Sequence, residues 1–184
     1  MKRIFFILTM LSVTMLALCV YTNTVSEDLQ GGIIRLHILA RSNSDNDQKI
    51  KLEVRDKILK SVSDTPITDT AKFITLAEES ANRYLLNNNI PYRAKVEFGI
   101  FDFPRKSYGN ITLPAGKYKG VRVLLDEGKG ENWWCVMYPP LCVTEKSEEA
   151  TEVLKRSLSD ETYKVITEKP EVKFKILELI SSVI

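Results

Sequence analysis

The stretch Ile33–Arg41, IIRLHILAR, decides the fold of this chain. Its apolar side chains at positions 34, 36, 38 and 40 point to one side of an extended backbone, whereas Arg35, His37 and Arg41 point to the other. This alternation predicts a strand with one face in a core. We expect Arg35 and His37 to lie on the opposite, solvated face of the sheet.

Two helices are predicted after this strand. Ser42-Asn43-Ser44 ends the strand, and Ser44 can cap a helix through its side chain. The apolar stripe of that helix comprises Ile50, Val54, Ile58 and Val62. A second helix is predicted to begin near Thr68 or Asp69 and to stop at Asn87-Asn88-Asn89 and Pro91.

Three further strands are predicted, over Tyr92–Ile100, Lys117–Leu125 and Trp133–Tyr138. In the first of them the side chains expected to point inward are those of Tyr92, Ala94, Val96, Phe98 and Ile100. Glycines at 128 and 130 separate the last two strands, which predicts a hairpin. Helices over Ser147–Leu158 and beyond Pro170 follow. The order predicts an α+β fold, a single domain whose largely antiparallel sheet has helices packed on one face.

Residues 1–26 are interpreted as a signal peptide or an N-terminal anchor. Lys2 and Arg3 precede an apolar run, Ile4–Val20, and a polar stretch follows, as in a secretory leader. The run is marginal in length for a membrane span. Cleavage after Thr24 or Ser26 fits the small-residue rule only loosely, so the cleaved leader and the retained anchor both stay open. In either case we expect residues 27–184 to form a single domain outside the cytoplasmic membrane.

The charge balance excludes some classes of partner. The chain has 26 Lys and Arg residues against 24 Asp and Glu residues, a net charge of +2. Lys2 and Arg3 account for this excess, so the exported part is near neutral with both signs interleaved. It lacks the basic footprint that nucleic-acid binding requires. Contact with a membrane is expected only through the leader, if the leader is uncleaved.

Two cysteines, Cys135 and Cys142, remain after the leader. An even pair outside the reducing cytosol is a candidate disulfide, and the Pro139-Pro140 turn could bring the two residues together. Two buried free thiols are the alternative. Because two cysteines and one histidine fall short of the four ligands of a structural zinc site, no metal or cofactor is expected.

His37 is the only histidine of the chain. It could serve as a base for a Cys135 nucleophile in a secreted cysteine-dependent hydrolase acting on wall or peptide. A cysteine held in a disulfide, however, cannot be a thiolate nucleophile. The sequence contains no nucleophile elbow, phosphate-binding glycine loop or His-Glu-x-x-His motif. We therefore expect no catalytic residues and keep the hydrolase as the alternative.

The segment Gly128–Cys142, GKGENWWCVMYPPLC, contains two adjacent tryptophans. Neighbouring residues of a strand point to opposite faces, so Trp133 and Trp134 cannot both enter one core. One is expected to pack inside and the other to be largely exposed, unless the C-terminal helix covers it. With Tyr138, the exposed tryptophan would form a partner-binding surface; the strand face with Arg35 and His37 is the second candidate.

The chain resembles the stage II sporulation protein R family of endospore-forming bacteria. The resemblance covers roughly residues 33–143 well and 148–180 loosely, and the segment from Asn132 to Cys142 is its most specific part. The matching stretches are Ile34–Ser44, Asp47-Gln48, Lys51–Asp56, Tyr108–Asn110, Leu113–Gly116 and Gly128–Cys142.

This resemblance implies a developmental signal rather than an enzyme. Members of the family look like proteins made in the forespore and exported into the space between forespore and mother cell. There they activate a membrane-embedded aspartic protease of the mother cell, which removes the pro-sequence of sigma factor E. For this chain, the resemblance implies the sporulation protease as receptor.

Overall fold

The computed structural model describes residues 2–63, 65, 69–141 and 147–168. Five helices and six strands lie in these residues, which confirms the α+β class. In chain order they are α1 (Lys2–Gly32), β1 (Ile34–Leu39), α2 (Asp45–Val62), α3 (Thr70–Asn87), β2 (Ala94–Phe103), β3 (Lys106–Tyr108), β4 (Ile111–Leu113), β5 (Gly116–Leu125), β6 (Asn132–Tyr138), α4 (Ser147–Ser157) and α5 (Asp160–Thr167).

The chain divides into two compact units. The sheet unit comprises Ile33–Phe101 and Lys119–Ser147, and the terminal unit comprises Met1–Gly32, Asp102–Tyr118 and Glu148–Ile184. The terminal unit contains α1, α4, α5 and the β3–β4 hairpin, which the sequence patterns did not predict. The single exported domain over residues 27–184 stays a prediction.

The sheet has four strands in the order β2-β5-β1-β6. β1 runs antiparallel to β6 and parallel to β5. Two contacts show that β2 and β5 run antiparallel. The Asp126 amide donates to the Arg93 carbonyl, and four residues further along β2 and four residues back along β5, Glu97 pairs with Arg122. The mostly antiparallel sheet of the prediction is thus confirmed, with β1–β5 as its parallel pair.

The predicted hairpin between the strands at 117–125 and 133–138 is wrong, because β1 lies between β5 and β6. The physical reason is that a glycine-containing turn is a local signal, whereas strand pairing depends on contacts between residues far apart in sequence. β1 takes an inner position with a neighbour on each side, and its four central residues are buried. The glycine-containing turn after β5 passes the end of β1 instead of closing a two-strand ribbon.

Helices α2 and α3 cover one face of the sheet. The Ser44 side chain accepts a hydrogen bond from the Asp47 amide, which confirms the predicted cap. The core between helices and sheet contains Leu36, Ile38, Ile50, Val54, Ile58, Val62, Phe73, Ala77, Ala81, Leu85, Ala94, Val96, Val121, Val123, Leu125 and Cys135.

The inward pattern predicted for β2 holds only in its first half. Asn82 and Glu78 of α3 bond to the backbone of Ala94 and Val96. Beyond them Phe98 is exposed and Ile100 is 61% exposed, so the prediction was wrong for these two residues. The helix predicted beyond Pro170 lies outside the described residues.

Candidate partner-binding site

The two tryptophans of β6 face opposite sides of the sheet, as predicted. In the β1–β6 register Trp133 lies opposite Ile38 and Trp134 lies opposite His37. Because side chains of paired strand residues project to the same face, Trp133 shares the helix-covered face and Trp134 shares the second face. One strand therefore presents an indole ring on each side.

Trp133 packs against the apolar core. It is partly buried there, and the guanidinium carbon of Arg55, from α2, lies 5.1 Å from the centroid of its ring. A guanidinium within about 6 Å of an indole face is attracted by the electron density of the ring. Trp133 is thus held from both the core and the helix surface.

Trp134 stacks on His37. The two ring centroids are 5.1 Å apart and the ring planes are inclined by 11°. Neither tryptophan is largely exposed, since both are half-buried. The largely exposed indole that the sequence predicted is therefore not found. The His37 ring covers part of Trp134, and Arg55 of α2 covers part of Trp133.

Arg35 and His37 are buried, so their predicted place on a solvated face was wrong. Arg35 has no exposed surface and His37 is 5% exposed. β1 is an inner strand with neighbours on both sides, and the ring of His37 is further enclosed by Trp134 and by Phe101, whose centroid lies 5.3 Å away. The imidazole of His37 is thus surrounded by aromatic rings and has little contact with water.

The burial of His37 changes its titration. Desolvation by burial lowers the pKa of His37 to about 4, and the positive charge of Arg122 acts in the same direction. The Asn132 side-chain oxygen, which can accept a hydrogen bond from the protonated imidazole, opposes the shift in the pKa of His37, and the charge of Arg35 adds to the shift. At neutral pH the imidazole is therefore uncharged.

Arg122 extends the aromatic cluster into an ion pair. Its guanidinium carbon lies 4.5 Å from the centroid of the Phe101 ring, and its Nη2 atom lies 2.6 Å from Oε2 of Glu97. Hydrogen bonds from Lys95 and from Arg122 lower the pKa of Glu97. These contacts form one row of side chains across the second face, made up of Trp134, His37, Phe101, Arg122 and Glu97.

Cys135 lies on the other face from His37. It is opposite Leu36 in the register and belongs to the apolar core, where it has no exposed surface. A base and a nucleophile must come within hydrogen-bond reach, and the sheet separates these two residues. The hydrolase dyad of the alternative prediction is thus not assembled. Cys142 lies outside the described residues, so the disulfide stays a prediction.

Tyr138 is the most exposed of the five predicted residues. It is 40% exposed and ends β6 opposite Ile34. Among the described strands β6 forms one edge of the sheet, since it pairs with β1 alone. The structure thus brings Trp134 and His37 together, places Trp133 on the opposite face, and leaves Tyr138 at the strand end.

A junction that the sequence patterns did not predict connects the turn before β6 with the turn after β1. The Gly130 amide donates to the Ala40 carbonyl at 2.8 Å, and the Glu131 amide donates to Oδ1 of Asn43 at 2.7 Å. Lys51 Nζ donates to the Glu131 carbonyl at 3.0 Å. These hydrogen bonds join three separate stretches of sequence into one structural element, namely Ala40–Asn43, Lys51 and Gly128–Glu131.

Asp47 anchors the same junction from α2. It accepts hydrogen bonds from the Ser42 hydroxyl at 2.5 Å and from the Tyr92 hydroxyl at 3.1 Å. The bond from Ser42 is the main reason that the pKa of Asp47 is lowered, while burial together with Asp47 raises the pKa of Tyr92. Among the described residues, no group of three or more His, Cys, Asp or Glu side chains could hold a metal ion.

Known proteins share much of this sequence. Residues 30–148 match the family described as Stage II sporulation protein R. The Stage II sporulation protein R of Bacillus subtilis (strain 168) is 36% identical over 149 residues, which cover 74% of this chain and 64% of that protein. The chain thus spans less than two thirds of the length of this relative. No solved structure matches the chain.

Proposed function

The chain belongs to the stage II sporulation protein R family, and on this premise we propose that it is an exported signal that passes from the forespore to the mother cell. In this proposal it activates a membrane-embedded aspartic protease, which then processes the precursor of sigma factor E. The protein itself acts as a ligand and not as a catalyst.

The observation that carries the proposal is the family match over residues 30–148. It includes the whole of β1, α2, α3 and β6 and the junction that holds them together. The apolar helix α1, which is long and apolar enough to cross a membrane, supports export independently of that match. The sheet separates His37 from Cys135, so these two residues cannot act together as base and nucleophile. This separation also fits a signalling role.

We place the receptor-binding surface at the β6 edge. A ligand activates a receptor only when it binds the active state better than the inactive one, which requires a surface with differential contacts. β6 offers an exposed Tyr138, a half-buried Trp134 and an edge in the described sheet. Tyrosine and tryptophan often dominate binding energy at interfaces, and an edge strand can pair with an extended segment of a partner.

Deletion of this gene in its host tests the proposal. We expect the sigma-factor precursor to accumulate uncleaved on a blot, and expression of the full chain in the forespore to restore cleavage. Normal processing in the deletion strain would overturn the proposal.

A leaderless variant tests the need for export. It lacks residues 2–20 but keeps Tyr21 onward, so that the buried positions of α1, from Thr22 to Gly32, are retained. Confined to the cytoplasm that makes it, this variant should fold and fail to trigger processing. Wild-type processing by the leaderless chain would show that the signal acts without crossing the membrane.

A further inference from the structure

The outer edge of β2 is closed by side chains of α3 along its first part. The side-chain amide of Asn82 accepts a hydrogen bond from the Ala94 amide and donates one to the Ala94 carbonyl, both at 2.9 Å. One helical turn earlier, Glu78 accepts a hydrogen bond from the Val96 amide at 2.8 Å. These side chains satisfy backbone groups that an edge strand would otherwise offer to another chain. The first part of the edge is therefore closed to strand pairing.

Further along β2, the backbone groups of Phe98 and Ile100 also point away from β5. In an antiparallel pair, residues that bond to the partner strand alternate with residues that point outward. The Arg93 carbonyl accepts a hydrogen bond from the Asp126 amide, so odd-numbered residues of β2 face β5 and even-numbered residues face outward. Among the described strands β5 is the one neighbour of β2. The amides and carbonyls of Phe98 and Ile100 are thus directed to the outer edge of the sheet.

The sequence of α3 explains why the closure stops. Residues four apart lie on one face of a helix, so the stripe that contains Asn82 and Glu78 continues to Ile74. An isoleucine side chain has no hydrogen-bond acceptor for the next outward amide, and Ile74 packs against the apolar core. Among the described residues, no side chain bonds to the amide of Phe98 or Ile100. We call the stretch Phe98–Phe101 the open edge.

The open edge is apolar as well as unclosed. Phe98 is 36% exposed and Ile100 is 61% exposed, on the face of the sheet that α2 and α3 cover only further back. Proteins usually protect an edge strand with a charged residue, a proline or a covering element. Residues 98–101, FGIF, contain neither a charged residue nor a proline. The open edge therefore has the properties of a template for an added strand.

An exposed lysine lies beside the open edge on β5. Glu97 pairs with Arg122 across the two strands. Three residues further along β2 and three residues back along β5, Ile100 is opposite Lys119, on the same face of the sheet. Lys119 is exposed, and among the described residues no carboxylate pairs with it. An acidic side chain on an added strand would complement this charge.

A second copy of the chain fits the open edge poorly. Paired about Gly99, the second β2 would run into the two α3 side chains that close the first part of the edge. Paired about Ile100, it would bring Lys119 of both copies onto one line across a shared face, and like charges on such a face are destabilising. A short extended segment with an acidic residue meets neither obstacle.

We propose that the open edge is a strand-addition site for a short extended segment of a partner protein, with apolar side chains and one acidic side chain on the face of Lys119. Main-chain hydrogen bonds to Phe98 and Ile100 supply affinity, and the alternate side chains supply specificity. The site lies at the opposite edge of the sheet from β6. It is therefore additional to the receptor-binding surface proposed above and does not depend on it.

A peptide titration of the full chain, kept soluble with detergent, tests the site. The probe is a six-residue peptide, blocked at both ends, that alternates threonine with valine, glutamate and valine. Binding is followed through the amide resonances of the nitrogen-15-labelled protein. We expect saturable shifts at Phe98 and Ile100, with Ala94 and Val96 unchanged. The same peptide with all backbone nitrogens methylated should not bind, and lysine in place of its glutamate should weaken binding about threefold.

A matched pair of substitutions assigns the binding to the edge. Ile100→Lys should weaken binding of the peptide about tenfold, because it removes apolar contact and adds a charge. Leu86→Lys, at an apolar position of α3 that is 76% exposed, should leave binding unchanged. Both variants replace exposed side chains, so both should keep the melting temperature of the wild type.

Several results would overturn the proposal. One is the absence of shifts at Phe98 and Ile100 at millimolar peptide, and another is equal binding of the methylated peptide or of the lysine peptide. Equal binding by the Ile100→Lys variant would also contradict it. Sedimentation that finds a dimer without peptide, dissociated by Ile100→Lys, would assign the open edge to a second copy instead.

Discussion

Trp134 stacks on His37 across the β1–β6 strand pair, with ring centroids 5.1 Å apart and ring planes inclined by 11°. The stack connects the edge strand to the inner strand on the second face of the sheet. It also encloses the imidazole in aromatic surface, so that any change in the charge of His37 acts directly on a contact of β6.

Acidification should destabilise the sheet unit through His37. The folded-state pKa of His37 is about 4, below its ordinary value of 6.5. Between these values the unfolded chain binds a proton that the folded chain does not, so stability is lost as the pH falls from about 6.5 to about 4. The loss is on the order of 2 kcal/mol, and urea unfolding at pH 7 and pH 4.5 measures it.

His37→Gln provides the control for this pH dependence, because glutamine does not titrate. The variant should show a smaller loss of stability between pH 7 and pH 4.5 than the wild type, whatever its stability at pH 7. If the two proteins lose the same free energy of unfolding, then carboxylates and not His37 account for the acid sensitivity.

The two tryptophans should respond differently to truncation. Trp133→Ala should lower the free energy of unfolding by about 3 kcal/mol, because its ring packs against the core and Arg55. Trp134→Ala should keep a melting temperature closer to that of the wild type. If the β6 edge binds the receptor, Trp134→Ala should weaken association on the order of thirtyfold.

Both tryptophan variants must be assayed for melting temperature and for processing of the sigma-factor precursor. A folded Trp134→Ala variant that fails to trigger processing supports the binding surface. Should both variants fold and signal normally, neither tryptophan contributes to receptor binding, and Tyr138→Ala is then the remaining test of the β6 edge, because Tyr138 is the most exposed of the five residues.

Cys135 and Cys142 should form an intramolecular disulfide in the exported protein. Closure of so short a loop is expected to contribute about 2.5 kcal/mol in the chain-entropy model. Non-reducing peptide mapping should recover the two cysteines in one linked pair of peptides. Alkylation of both as free thiols would contradict the prediction. The double variant with alanine at both positions separates the effect of the bridge from that of an unpaired thiol.

Gly130→Ala should destabilise the junction before β6 by about 1–3 kcal/mol. A Cβ atom at this position would overlap the Ser42 carbonyl group and contact the Ala40 side chain at 3.0 Å, and these are backbone and core atoms that cannot easily move. Gly31→Ala is the matched control, since nothing lies within 4 Å of its added Cβ. Thermal unfolding that finds the two variants equally stable would refute the role of this close approach.

The sequence alone determined the four strands of the sheet and the helices α2 and α3, together with the core-facing side chains of most of these elements. The period of two at Ile33–Arg41 and the capping serine at position 44 are local signals, and the predicted strand and the predicted cap are both present, in β1 and at the start of α2. The opposite facing of Trp133 and Trp134 also follows from the strand geometry alone. The residues that carry the family resemblance could also be recognised in the sequence. That several of them come together in one junction before β6 could not.

Only the tertiary structure decided which strands are neighbours. Strand order depends on contacts between residues far apart in sequence, and β1 lies between β5 and β6. Arg35 and His37 are buried, although alternation alone had assigned them to water, and the rings of Trp134 and Phe101 enclose His37. The register of β6 against β1 places Cys135 and His37 on opposite faces and brings Trp134 against His37. Local patterns cannot carry this information, because burial of a side chain depends on what packs over it.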